Sequence, residues 1–236
     1  KAGSTASSTS VTNTSGSITS QVSANPSAGF SIVGWTGTAA AATIGHGLNA
    51  APNFIIVRRR SSADWVVYHS SIGNTVALFL NGSNAAASSS FYWNNTSPNS
   101  SVFTLGLAGN FNQNGQNYVA YCWAEIAGFS KFGSYTGNGS TDGPFVYTGF
   151  RPRWIMYKRT DSTSNWQMID TAINTYNNAG TDLFANLSNA ETAGYSFDIL
   201  SNGFKQRDNG AGQNASGGTY IYAAFAENPF KYANAR

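Results

Sequence analysis

Tyr118-Val119-Ala120-Tyr121-Cys122-Trp123-Ala124-Glu125 returns near the C-terminus as Tyr220-Ile221-Tyr222-Ala223-Ala224-Phe225-Ala226-Glu227. Both stretches open on Tyr and a β-branched residue, carry an aromatic at the sixth position and close on Ala-Glu. An apolar run of this length between turn residues reads as a strand buried on both faces. The Asn-Gly-Gln-Asn and Ser-Gly-Gly-Thr that precede the two runs favour a strand over a short buried helix.

Other segments match in the same order, at a spacing of about 100 residues. Trp35-Thr36-Gly37 pairs with Tyr135-Thr136-Gly137, and Pro52-Asn53-Phe54-Ile55-Ile56-Val57-Arg58-Arg59 with Pro152-Arg153-Trp154-Ile155-Met156-Tyr157-Lys158-Arg159. Asp64-Trp65 pairs with Asn165-Trp166, and Leu78-Phe79-Leu80-Asn81 with Leu183-Phe184-Ala185-Asn186. The period is far longer than a solenoid repeat, so each copy is a domain-sized unit or half of one sandwich. The organisation expected is a Ser/Thr-rich arm or linker over residues 1–28, a first β unit over 29–127 and a second over 128–236. Short apolar runs about ten residues apart, punctuated by Asn81-Gly82, Asn114-Gly115, Asn138-Gly139 and Asn202-Gly203, predict an all-β fold. The expected form is a jelly-roll-like β-sandwich built by internal duplication. Tyr92-Trp93 reads as a short strand, and helix is expected to be scarce, at most near 85–87 or 188–193.

The chain has 236 residues, 41% hydrophobic and only 10% charged, with a net charge of +3. That is not the footprint of a nucleic-acid binder. The basic run Arg58-Arg59-Arg60 has a counterpart in Lys158-Arg159 after a matching strand, which reads as a strand end rather than a phosphate site. No apolar run approaches the roughly 18 residues of a membrane-spanning helix, so no membrane insertion is expected. Cys122, the single cysteine, reads as a small core residue. The N-terminus lacks the pattern of a signal peptide, and the start at Lys1 reads as a piece of a longer or processed chain. Asn, Ser, Thr and Gly carry the polar surface, which suits neutral glycans or close packing in an assembly.

Little in the sequence points to catalysis. His46 and His69 are the only histidines, and no ligand spacing for a transition metal is present. Of ten acids only Asp64 and Glu125 lie in the first copy, whereas a glycosidase needs two carboxylates about 5–10 Å apart. Glu125 and Glu227 end equivalent strands, where a structural hydrogen-bonding role is expected. No nucleophile elbow, phosphate loop or EF-hand loop occurs. No catalytic residue, metal site or cofactor is therefore expected. The candidate ligand-binding residues are Tyr92, Trp93 and Tyr176, aromatics set among Asn and Ser, where rings can stack on sugars while amides bond hydroxyls.

Gly133-Ser134-Tyr135-Thr136-Gly137-Asn138-Gly139, Gly143-Pro144-Phe145-Val146-Tyr147-Thr148-Gly149-Phe150-Arg151-Pro152 and the ending Ala224-Phe225-Ala226-Glu227-Asn228-Pro229-Phe230-Lys231-Tyr232-Ala233 resemble the C-terminal region of virion proteins from tailed bacteriophages, marine and cyanobacterial ones especially. The resemblance covers about residues 29–236. It implies a virion structural protein, a tail-fibre or other fibre tip, and brings no catalytic residues with it. A homotrimer that contacts other virion proteins and a host surface glycan or receptor is then expected, without enzymatic activity. A purely structural role in capsid decoration or tail assembly is the alternative, and a polysaccharide depolymerase a third reading that the lack of an evident acid pair disfavours.

Overall fold

The structure, a computed structural model, describes residues 10–107, 109 and 111–229. The chain forms two compact units, Lys1–Leu80 with Ala87–Glu125, and Asn81–Ala86 with Ile126–Arg236. All strand pairings between named strands are antiparallel.

The first unit contains β1 (Val11–Asn13), β2 (Ser20–Asn25), β3 (Phe30–Thr36), β4 (Ala42–Gly45), β5 (Phe54–Arg59), β6 (Val66–His69), β7 (Val76–Phe79), β8 (Ala87–Ser88), β9 (Val102–Leu105) and β10 (Asn117–Trp123). Its main sheet runs β1-β2-β3-β10-β5-β6-β7-β8, and β4 and β9 form a separate ribbon. β-branched and aromatic residues dominate the central strands, as a pleated, half-buried surface requires. Trp35 of β3 meets Phe103 of β9 edge-on at 5.8 Å, so the ribbon covers the main sheet and closes the apolar core.

The second unit contains β11 (Ser130–Thr136), β12 (Phe145–Tyr147), β13 (Pro152–Arg159), β14 (Gln167–Asp170), β15 (Ala179–Phe184), β16 (Thr192–Leu200), β17 (Gly203–Gln206) and β18 (Thr219–Ala226). These form one continuous sheet, β11-β18-β13-β14-β15-β16-β17-β12. Phe204 of β17 packs edge-on against Tyr135 of β11 at 6.2 Å and Tyr222 of β18 at 5.4 Å. Those strands lie at the opposite side of the sheet order, so the sheet curls over its own core. The continuity through β16 replaces the two separate layers expected of a jelly-roll-like sandwich.

The two units share a strand order. β3, β10, β5, β6 and β7 neighbour one another as β11, β18, β13, β14 and β15 do. Tyr118 lies between Trp35 and Arg59, and Tyr220 between Tyr135 and Arg159. The Tyr118 hydroxyl accepts from the Gln113 amide and the Tyr220 hydroxyl from the Ala215 amide, both at 2.8 Å. His69 and Asp170 share no chemistry except an acceptor, and each uses it alike: Nδ1 of His69 takes the Ser71 amide, and Oδ1 of Asp170 the Ala172 amide. Gly37 and Gly137 are alike for a steric reason, since a Cβ on either would lie 2.3 Å from a carbonyl oxygen, of Gln113 or of Ala215.

Three expectations change. Residues 10–25 are no separate arm: β1 and β2 form a hairpin that extends the first sheet along β3, with Val22 buried. β10 alternates between buried and partly exposed positions, so only β18 approaches a strand buried on both faces. Tyr92-Trp93 lies in a short helix, α1 (Ser90–Trp93), whose N-terminus is capped by the Ser89 hydroxyl accepting from the Phe91 amide. Residues 1–9 of the arm and the end of the chain from Phe230 lie outside the described residues.

Candidate functional site

The aromatics singled out in the sequence fall in two units, Tyr92 and Trp93 in the first and Tyr176 in the second. Trp93 is core: it is 1% exposed and meets Tyr68 at 5.5 Å and Phe111 at 5.0 Å edge-on. Its candidacy as a ligand-stacking ring is withdrawn, because no face of the indole reaches solvent. Tyr92 is half-buried, held edge-on by Phe79 and Phe111. Tyr176 is 85% exposed on the β14–β15 loop. Asn174 and Asn177 staple that loop, Asn174 by bonds to Gly180 and Thr181 and Asn177 by bonds to both backbone groups of Ile199.

Of the other sequence candidates, His46 is buried, with Nε2 3.0 Å from the Asn99 carbonyl and Nδ1 accepting the Leu48 amide. That pairing fixes the neutral, Nε2-protonated tautomer, and burial lowers its pKa. Cys122 is buried, and desolvation pushes its thiol up. Arg151 Nε pairs with Glu227 at 2.8 Å, as expected of a structural carboxylate. The basic run is engaged locally, Arg58 over the Trp65 ring and Arg59 with Gln113 and Ser62. Among the described residues no three His, Cys, Asp or Glu side chains come together to hold a metal ion, and no helix is long and apolar enough to cross a membrane.

The first unit has hollows of about 270 and 360 Å³ and the second a cleft of about 330 Å³, so size does not distinguish them. What lies beneath does. Strand register equates Val57, Val66 and Ala77 of the first unit with Tyr157, Gln167 and Asp182 of the second. The matching Trp35–Phe103 and Tyr135–Phe204 contacts equate Leu105 with Gln206, and the tyrosine-bonded loops equate Phe111 with Gln213. All ten side chains are buried. The first unit builds this place from hydrocarbon, so the fold does not demand polar groups there. Buried polar groups cost stability unless they are paired.

The polar set is wired together. The Tyr157 hydroxyl lies 2.8 Å from Gln167 Oε1 and 3.0 Å from Asp182 Oδ2. Gln167 cannot turn round, because its Nε2 donates to the Gly212 carbonyl at 3.0 Å. A phenol has one proton to give, so the Tyr157 hydroxyl donates to Gln167 Oε1 or to Asp182 Oδ2 but not to both at once. Burial, above all, raises the Asp182 pKa to about 7. Nearby, Gln206 Nε2 donates to Tyr135, whose hydroxyl donates to the Gln213 carbonyl. Asp182 Oδ1 and Gln206 Oε1 are buried without a hydrogen-bond partner among the described residues.

Gln167, Gly212 and Gln213 are at once part of this network and part of the cleft wall. The short helix α2 (Ala211–Asn214) that carries two of them is fastened by Arg159 and Tyr220, which both donate to the Ala211 carbonyl. Ser83 lines another side, its carbonyl taking the Ser164 amide and the buried Lys158 ammonium. Thr163, Ser164 and Asn165 supply further hydroxyl and amide groups, and the partly exposed rings of Phe184 and Tyr195 complete the wall. Among the described residues, no ionisable side chain other than the Tyr195 phenol lines the cleft. None of these residues stands out in the sequence alone. The signal available is the internal alignment, in which five apolar positions of the first unit stand opposite Tyr, Gln, Asp, Gln and Gln in the second.

Fold and site together define an all-β protein of two like-ordered units, of which the second carries an uncharged, amide-lined cleft on a polar core. The chain belongs to the family described as Domain of unknown function (DUF7483), whose pattern matches residues 3–229. No curated protein and no solved structure matches it.

Proposed function

We propose that this chain is a non-enzymatic recognition module on a virion surface, at a tail-fibre tip or comparable place, that binds a host surface glycan through the cleft of its second unit. The observation that carries the reading is the exchange of five core side chains for hydrogen-bonding ones under a cleft walled by amides, hydroxyls and two aromatic rings. Neutral sugars are bound by that combination, ring faces against aromatic faces and hydroxyls against amides. The shared strand order and the matching tyrosine and glycine contacts support a duplicated unit, of which the second copy was rebuilt for binding. The resemblance to phage virion proteins supports the setting. The Asp182 carboxyl is fully buried and, among the described residues, the cleft wall carries no carboxylate, which favours binding over cleavage. Assembly as a homotrimer would raise weak single-site affinity through effective concentration.

The test is retention of the purified protein on host cells and on isolated envelope polysaccharide, beside the Tyr195→Ala variant. Retention that the variant loses, without release of reducing ends, is the expected result. Release of reducing ends overturns the non-enzymatic reading. Failure to bind any host surface favours the purely structural role in capsid decoration or tail assembly.

A further inference from the structure

Two amides of the cleft wall, Asn165 and Gln167, have their oxygens engaged from within, and the hydrogens they leave open select a ligand group. Asn186 accepts the Trp166 amide through Oδ1, so its Nδ2 is the atom that donates to Asn165 Oδ1 at 3.0 Å. This orients Asn165 with its acceptor occupied and its amide hydrogens unspent. Gln167 is in the same state: Oε1 takes the Tyr157 hydroxyl, one Nε2 hydrogen goes to Gly212, and the second remains. The carbonyls of Gly212 and Ser83 are likewise occupied from within. Asn165 and Gln167 thus each keep an unspent amide hydrogen at the wall, while their own oxygens and the Ser83 and Gly212 carbonyls are engaged.

The floor between these donors is kept open by Gly212. A Cβ there would lie 3.0 Å from Gln167 Nε2 and 3.3 Å from Ser164 Oγ, so two polar groups converge on the space a side chain would fill. Beside it Phe184 and Tyr195 meet at 6.1 Å and 79°, forming an apolar corner. A small group with a carbonyl acceptor at one end and a methyl at the other fits this combination better than a bare hydroxyl, which must donate as well as accept.

Building on the glycan reading of the cleft, we propose that it takes an acetamido sugar, an N-acetylhexosamine unit of the glycan. Its acetyl carbonyl accepts from Asn165 and Gln167, and its methyl rests in the corner of Phe184 and Tyr195. The sugar-ring hydroxyls are left to Ser164 and to Gln213, whose side chain makes no hydrogen bond among the described residues.

The experiment titrates the full chain with a β-1,4-linked N-acetylglucosamine trisaccharide and with the glucose trisaccharide that has hydroxyls in place of the acetamido groups, followed by NMR. Asn165→Asp keeps the acceptor that Asn186 uses and removes the free donors. Gln213→Glu disturbs no internal hydrogen bond and serves as the second variant. The acetylated sugar is expected to bind at least about tenfold more tightly, the size of one or two well-made hydrogen bonds, with the difference shrinking to about twofold in Asn165→Asp. Equal binding of both sugars, lost in Tyr195→Ala, overturns the acetamido assignment while the glycan cleft stands. If neither sugar perturbs the cleft resonances, the glycan reading fails and this inference with it.

Discussion

Asp182 and Tyr157 hold their oxygens 3.0 Å apart on adjoining parts of the second core, and neither side chain reaches solvent. The equivalent residues in the first unit are Ala77 and Val57, equally buried. One backbone plan therefore tolerates either hydrocarbon or an acid–phenol pair at this place, and the second choice creates a proton-dependent contact.

That contact sets a pH slope. Folded, Asp182 keeps its proton up to about pH 7, whereas its ordinary pKa is 3.8. Folding takes up a proton between those values, so stability falls as pH rises through the window. The gap between the two values corresponds to at most about 4 kcal/mol. Asp182→Asn, which keeps an acceptor for the Tyr157 hydroxyl and cannot titrate, should remove the slope and raise stability at neutral pH. Urea midpoints across the window measure it, and an unchanged slope in the variant would place the titration elsewhere.

His46 imposes the opposite slope on the first unit. Burial depresses its folded pKa below the ordinary 6.5. Its contribution is whole above 6.5 and is lost as the pH falls through the depressed folded value, because protonation would set a second donor against the Leu48 amide. Acidification from neutrality should lower hydrogen-exchange protection around β4 and β9 while raising it in β13 to β15. The expected observation is divergence between the units, and a parallel change in both would contradict it.

Lys158 gives a third window, at alkaline pH. Its ammonium is buried, donating to the carbonyls of Ser83 and Arg159, and desolvation lowers its pKa from 10.5 to about 8. The unfolded chain holds the proton more firmly, so second-unit stability should rise as pH increases from about 8 to 10.5. Lys158→Met should abolish that rise. It should also loosen Ser83 at the cleft wall, readable as faster exchange of the Ser164 amide that Ser83 accepts.

Trp93→Ala should cost about 3–5 kcal/mol by opening a cavity among Tyr68 and Phe111. Tyr176→Ala should stay within about 0.5 kcal/mol, as an exposed side chain away from such features does. Thermal or urea unfolding of the two variants side by side decides this. Comparable losses would mean that Tyr176 is packed in solution.

The strands are readable because their signals are local. Val102–Leu105 and Phe145–Tyr147 fall where alternation and turn residues place them, and the Tyr118 and Tyr220 runs occupy equivalent central positions. β17 is not legible in this way, since Asn202-Gly203 suggests a loop and only pairing with β12 and β16 makes Gly203–Gln206 a strand. Trp93 misleads for a related reason. The segment around it is rich in Asn and Ser, but in space it packs against Tyr68 and Phe111, and burial is decided by the latter.

By itself the sequence determined the all-β class and the positions of most strands, because periodicity and turn chemistry act over a few residues. The tertiary structure alone decided which side chains share a wall. Asn165, Gln167, Phe184, Tyr195, Gly212 and Gln213 lie on four separate stretches of chain and meet only when the second sheet curls over its core. It also decided that Asp182 is a buried acid whose pKa is raised to about 7, since only the folded chain takes its carboxyl out of water.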